Sequence, residues 1–232
     1  MVLFDLDDTL FAHRKATEDG IVAHLEALGF NDDPLAAGRW TQLEGIHYSR
    51  YLAGELDYLG QRRARVRDFM KPHGLTFAAD SDADDWFEGY SNAYRGSWTL
   101  HDDALPLLDS LTDYQLGIIT NGVTEQQQRK LDRLGLSPYF QHLVTSADFG
   151  AVKPDPSIFQ HAVSLFDVSP ASVVYVGDRF RTDALGAVAA GLAGVWLDRA
   201  SSATPAEKAE ADSAGVHIIH SLDELPPLLP AL

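Results

Sequence analysis

Along the second half of the chain, short apolar runs alternate with longer amphipathic ones. The runs at 116–119, 142–144, 173–176, 195–197 and 217–219 predict strands. Residues 124–134, 156–166, 181–190, 205–214 and 222–229 carry the spacing of helices. Strand–helix alternation with short connections predicts βαβ units and a parallel sheet. The valine-rich runs suit strands covered on both faces. Local signals agree: Asp155 and Ser157 stand at one helix start, Thr204-Pro205 opens another, and Gly135 and Gly191 lie where helices should stop.

Residues 2–4 read as one more buried strand, cut short because Met1 leaves little chain before it. The rhythm then changes. From 13 to 98 there is no β run, only helical patterns: Leu25, Leu28, Trp40, Leu43 and Ile46, then Leu56, Leu59, Val66, Phe69, Trp86, Phe87, Tyr90 and Tyr94. The simplest account is an α/β protein with a Rossmann-like parallel sheet built from 1–12 and 99–232, and a helical domain, 13–98, inserted after its first strand. Neither an internal repeat nor a low-complexity segment interrupts this pattern.

Composition narrows the function. A chain of 232 residues, 45% hydrophobic and 22% charged, can bury a core without a disulfide or metal staple. Cysteine is absent, which excludes a thiolate nucleophile and any Cys-ligated metal site. With 34 acidic against 18 basic side chains, the net charge of −16 argues against nucleic-acid binding. No run approaches the about 18 apolar residues of a membrane helix, and Met1-Val2-Leu3-Phe4-Asp5 has no signal-peptide character. The expectation is a cytoplasmic protein, monomer or dimer. If its substrate is an anion, a metal ion and a few placed cations must offset the field of the whole chain.

Ligands of a parallel α/β sheet bind at the carboxyl ends of its strands. Strand one is followed by Asp5-Leu6-Asp7-Asp8-Thr9, and the next by Thr120-Asn121-Gly122. Val152-Lys153-Pro154-Asp155 precedes the helix at 156, and Gly177-Asp178 with Asp183 follows the run at 173–176. Only five lysines occur (Lys15, Lys71, Lys130, Lys153 and Lys208), so one at a strand end carries weight.

This ordered set resembles the haloacid dehalogenase superfamily of Mg²⁺-dependent hydrolases, whose motifs are DxDx[TV], [ST], Lys and an acidic GDxxxxD-like motif. The resemblance runs over essentially the whole chain and implies that residues 13–98 are the helical cap inserted in this family, closing to exclude water and select substrate. It implies that Asp5 is the nucleophile, forming an aspartyl-phosphate, and that Asp7 protonates the leaving oxygen and then activates water. An Asp5 carboxylate oxygen, the Asp7 carbonyl and Asp178 would hold Mg²⁺, with Asp183 supporting. The Thr120 hydroxyl and the Asn121 amide would hold phosphoryl oxygens, Lys153 would offset charge, and Thr9 would order the loop. The resulting reading is a phosphatase acting on a small phosphorylated metabolite, similar to the nucleotidase and sugar-phosphatase branch.

Other features read as structural. Four arginines between Gln61 and Arg67 suggest a solvated basic face, His13, His47 and His101 are structural, and Trp40, Tyr48, Trp86, Tyr90 and Tyr94 form the cap core. Phe11 packs at the exit of the catalytic loop. Among rivals, a 2-haloacid dehalogenase is disfavoured because those relatives lack the second aspartate, which stands here as Asp7. A phosphonatase would need a cap lysine in an apolar pocket, which neither Lys15 nor Lys71 offers. A phosphomutase shares the Asp5/Asp7 chemistry. A non-catalytic metabolite-binding protein on the same fold would be expected to have lost one of Asp5, Asp7, Lys153 and Asp178.

Overall fold

The structure, a computed structural model, describes residues 1–30 and 32–229. It divides into two compact units, Met1–Ala12 with Thr99–Leu232, and His13–Trp98. The first holds a six-stranded sheet of β1 (Val2–Phe4), β2 (Leu116–Thr120), β3 (His142–Thr145), β4 (Val174–Gly177), β5 (Ala193–Leu197) and β6 (His217–Ile219). The order is β3-β2-β1-β4-β5-β6, with every neighbouring pair parallel.

In chain order the α-helices are α1 (His13–Ala27), α2 (Ala36–Leu52), α3 (Tyr58–Met70) and α4 (Asp80–Gly96) in the second unit. The first unit carries α5 (Ala104–Ser110), α6 (Thr124–Arg133), α7 (Ser146–Phe149), α8 (Pro156–Ser164), α9 (Leu185–Ala189) and α10 (Pro205–Ala214). None among the described residues is long and apolar enough to cross a membrane.

β1 is short yet central. Val2, Leu3 and Phe4 are fully buried, as expected of a strand covered on both faces. Val2 pairs with Leu116 on one side and Val174 on the other, and Phe4 with Ile118 and Val176. This register brings the carboxyl ends of β1, β2 and β4 level, so the loops that follow open on one edge. On one face of the sheet Leu3, Ile119, Ile158, Phe159, Val163 and Tyr175 belong to a common core. A smaller cluster gathers Phe180, Ala184, Trp196 and Ala211.

The helix signals act as their chemistry dictates. The Asp155 carboxylate accepts from the Ser157 N–H at 2.9 Å. Thr204 and Glu207 form a reciprocal capping box at the start of α10. Gly135 and Gly191 take φ of +71° and +89° where helices stop. Two expectations are corrected. The helix predicted at 181–190 begins instead as a π-helical turn, Phe180–Ala184, that passes into α9. The one predicted at 222–229 is only a 3₁₀ turn, Leu222–Glu224; Pro226 and Pro227 follow, and proline cannot donate the bonds a helix needs.

In the helical unit Trp40 is fully buried, its ring 4.9 Å from Phe69, 5.5 Å from Trp86 and 4.6 Å from Tyr90. The arginines do not share one solvated face. Arg63 bonds Asp80 and Asp84, and Arg67 bonds Asp80. Arg65 lies inside, 3% exposed, its guanidinium 3.7 Å from the Trp40 ring centre and 3.0 Å from Glu44. The reason is positional: Gln61, Arg65 and Phe69 form an i, i+4, i+8 stripe, and that stripe is the buried one. Leu28, Ile46 and Leu59 are exposed despite their spacing. His47 bonds Asp68 at 3.0 Å, and His13 lies 2.9 Å from the Tyr94 hydroxyl.

Candidate active site

Asp5 follows β1 directly, and its N–H still donates to the Val176 carbonyl at 2.9 Å. Its side chain, 8% exposed, therefore leaves the sheet at a fixed point. One carboxylate oxygen accepts from Lys153 Nζ at 2.6 Å, the other from the Thr9 hydroxyl at 3.2 Å. Asp8 sustains the turn between them with φ of +63°, a left-handed conformation that a short polar side chain tolerates.

Lys153 reaches the site from the loop before α8. Besides Asp5, its Nζ donates to the Tyr175 hydroxyl and to Asp183 Oδ1, both at 2.7 Å. Three donors on three acceptors satisfy a fully buried ammonium. Burial alone would lower the lysine, but the Asp183 and Asp5 charges outweigh it and hold it above the ordinary range. Asn121 fixes this lysine by its main chain: Oδ1 accepts from the Lys153 N–H at 2.8 Å and Nδ2 donates to the Lys153 carbonyl at 3.1 Å.

Asp183 sits in the π-helical turn. It accepts from Lys153 and, through its other oxygen, from the Arg179 N–H at 3.0 Å. It crosses so close over the end of β4 that a Cβ on Gly177 would stand 2.5 Å from Asp183 Cβ and Cγ, so glycine is required there. Asp178 lies between, half-buried, with its carbonyl bonded by Trp196 Nε1 at 3.0 Å.

Asp5, Asp178 and Asp183 each present a carboxylate oxygen, and these lie within 4.8 Å of one another. Burial, opposed by Lys153 but reinforced by Asp183 and Asp7, raises Asp5 to about 7. Burial together with the Asp5 and Asp183 charges raises Asp178 to about 8. A donor set of hard oxygens whose negative charges raise one another's proton affinity fits a hard divalent cation.

Asp7 stands half-buried beside this cluster. Its two oxygens meet different donors, Lys130 Nζ at 2.5 Å and Gln127 Nε2 at 3.0 Å. Thr120 ends β2, 1% exposed, its hydroxyl accepting from the same Gln127 amide at 2.7 Å.

The structure thus brings all eight candidate residues to one sheet edge, each in the hydrogen-bonded or carboxylate clusters just described. It also brings three that the sequence pattern did not single out as site residues. Tyr175 reads as one apolar strand position; its hydroxyl, which donates to the Ile119 carbonyl at 3.0 Å, was the clue, because a buried tyrosine oxygen needs partners. Gln127 and Lys130 read as part of a polar helix. Their i, i+3 spacing directly after the Thr120 loop was the available signal.

Three comparisons bear on this geometry. Residues 1–191 match the family described as haloacid dehalogenase-like hydrolase. The chain is 31% identical over 208 residues to a glyceraldehyde 3-phosphate phosphatase of Methanopyrus kandleri, covering 85% of this chain and 83% of that one. It is 30% identical to a ribulose-1,5-bisphosphate 5-phosphatase of Halopiger xanaduensis over 97% of this chain and 95% of the other. A solved structure of the hydrolase YfnB from Bacillus subtilis, bound to magnesium, has a TM-score of 0.80 at 22% identity, covering 98% of this chain and 97% of its own.

Proposed function

The chain belongs to the haloacid dehalogenase-like hydrolase family, and from that premise we propose that it is a Mg²⁺-dependent phosphatase acting on a small phosphate monoester through an aspartyl-phosphate on Asp5. The observation that carries this reading is the placement of Asp5: a buried carboxylate at a strand end, flanked by a lysine at 2.6 Å and by two further carboxylates.

Each residue has its own part in the reaction. Asp5 attacks phosphorus; the Asp5 oxygen–phosphorus bond forms as the ester oxygen–phosphorus bond breaks. Asp7 gives a proton to the departing oxygen. It then takes one from the water that attacks the aspartyl-phosphate, which releases phosphate and restores Asp5. Thr120 and the Asn121 backbone N–H hold phosphoryl oxygens, because the Asn121 side chain is engaged with Lys153. Lys153 offsets charge on Asp5 and the phosphoryl group. Thr9 orders Asp5, and Asp183 holds Lys153.

The cation would be held by Asp5, Asp178 and the Asp7 carbonyl, with Asp183 in support. When bound, Mg²⁺ supplies positive charge that lets carboxylate and phosphate approach. Magnesium binding by the structurally similar YfnB supports this choice of ion. The two phosphatase relatives support a sugar-phosphate class of substrate, and the helical unit His13–Trp98 is assigned the cap's role of selecting it. The presence of Asp7 separates this reading from dehalogenation, since a halide leaves without a proton.

The test is phosphate release from sugar phosphates, nucleotides and phosphoglycolate, with Mg²⁺ or with EDTA, for the wild type and Asp5→Asn. Turnover that needs metal and disappears in Asp5→Asn is expected. No turnover on any ester, with or without metal, would overturn the proposal.

A further inference from the structure

We infer that Gln127 and Lys130 of α6 are positioning residues for Asp7, clamping the carboxylate that transfers protons to and from the reacting oxygens. The inference rests on the phosphatase reading above and adds two residues that it does not use.

α6 begins immediately after the Thr120 loop and is polar at every position but Leu131. Two of its polar side chains nonetheless turn inward: Gln127 and Lys130 are each 2% exposed. They are three residues apart, so they share a face. Lys130 Nζ stands 2.5 Å from Asp7 Oδ1 and Gln127 Nε2 3.0 Å from Asp7 Oδ2. A donor on each oxygen fixes both the place of the carboxylate and the rotation of its plane. Misplacing a catalytic group by about 1 Å can cost on the order of a hundredfold in rate, and an aspartate without such partners would sample several rotamers.

Two details show that the clamp is shaped toward Asp7. The Gln127 NH₂ also donates to the Thr120 hydroxyl at 2.7 Å, so one amide joins the proton-transferring group to the phosphoryl-holding one. Its carbonyl oxygen, meanwhile, is buried with no hydrogen-bond partner among the described residues. Leaving that acceptor orphaned is destabilising, and turning the amide round would set that oxygen against a carboxylate. Gly122 leaves the room required: a Cβ there would lie 2.9 Å from Gln127 Nε2. Lys130 also lies 4.9 Å from the centre of the Phe11 ring, which closes over its ammonium.

The experiment compares two esters that differ in their need for a proton. p-Nitrophenyl phosphate releases a weakly basic phenolate, whereas glycerol 2-phosphate must release an alkoxide or be protonated as it leaves. kcat/KM, which covers steps through formation of the aspartyl-phosphate, is measured on both for the wild type, Lys130→Met, Lys130→Arg and Gln127→Ala. Lys130→Met is expected to lose on the order of tenfold or more on the alkyl ester, part of the about 10²–10⁴-fold that a placed proton donor contributes. It should lose much less on the aryl ester, and Lys130→Arg should recover part of the difference. Equal loss on both esters, or none on the alkyl ester, overturns the inference while leaving the phosphatase reading intact. If Lys130→Met fails to fold, Gln127→Ala is put through the same comparison, and the same pattern of losses supports or overturns the inference. A wild type inert on both esters overturns the phosphatase reading and the inference together.

Discussion

Asn121 grips Lys153 by its main chain, accepting from its N–H at 2.8 Å and donating to its carbonyl at 3.1 Å across 32 positions of sequence. The clamp ties the loop after β2 to the loop before α8. It means that the lysine between Asp5 and Asp183 is placed by its backbone, and its long side chain has only to extend.

Removing that clamp should therefore damage both stability and catalysis. Asn121→Ala leaves a buried main-chain pair unsatisfied, at a cost of about 1–3 kcal/mol. Turnover should fall on the order of tenfold or more, because Lys153 loses its register against Asp5. Steady-state kinetics and a thermal melt on the same sample check this. Full turnover in the folded variant would show that Lys153 keeps its place without Asn121.

Metal should stabilise the fold. Asp5, Asp178 and Asp183 repel one another at close range, and a cation relieves that repulsion only in the folded chain. At a hundred times its dissociation constant, Mg²⁺ should add about 2.7 kcal/mol. Asp178→Asn should abolish this gain and, in EDTA, should melt no lower than the wild type, because one of the opposing charges is gone. A melting temperature that ignores Mg²⁺ would contradict the assignment.

Gly177→Ala should be severe for its size. The added Cβ would stand 2.5 Å from two atoms of Asp183, and overpacking of this kind costs about 1–3 kcal/mol. Because Asp183 bonds both Lys153 and the Arg179 N–H, its displacement should also cost activity. Denaturant unfolding and kinetics together check it; a variant with wild-type values for both would refute the close approach.

Acid should weaken a second network. Burial would raise Asp103, but the Arg199 fork at 2.7 and 2.9 Å, the Leu222 N–H and the Ser221 hydroxyl hold it below the ordinary carboxylate range. The sign follows: the ionised form is favoured in the folded chain, so the stabilisation is complete above about pH 4, where an unfolded aspartate is ionised. It is lost as pH falls through the lower folded value. Asp103→Asn should reduce stability at neutral pH and flatten the acid limb of a stability–pH curve. The same acid limb in wild type and variant would remove Asp103 as its source.

Much of this protein was legible in one dimension. Apolar runs at 116–119 and 173–176, separated by helical spacing, point to a parallel α/β sheet, since strands covered on both faces read as near-continuous apolar runs. The strand-end rule then marks Asp5, Asp7, Thr120, Lys153 and Asp178 for attention, because chemistry-bearing residues recur just after those runs. Caps such as Asp155 and Thr204 were equally readable, being local hydrogen-bonding facts.

What only the tertiary structure decided are the relations across long loops. That Asn121 faces Lys153, that Tyr175 bonds the same ammonium, and that Lys130 reaches Asp7 across 123 positions depend on the register of β1 between β2 and β4. Arg65 looked like the arginines around it until the rotation of α3 turned it inward onto Trp40. Spacing along one element reports which side chains share a face. Which face is buried, and against what, is settled by the partner that packs there.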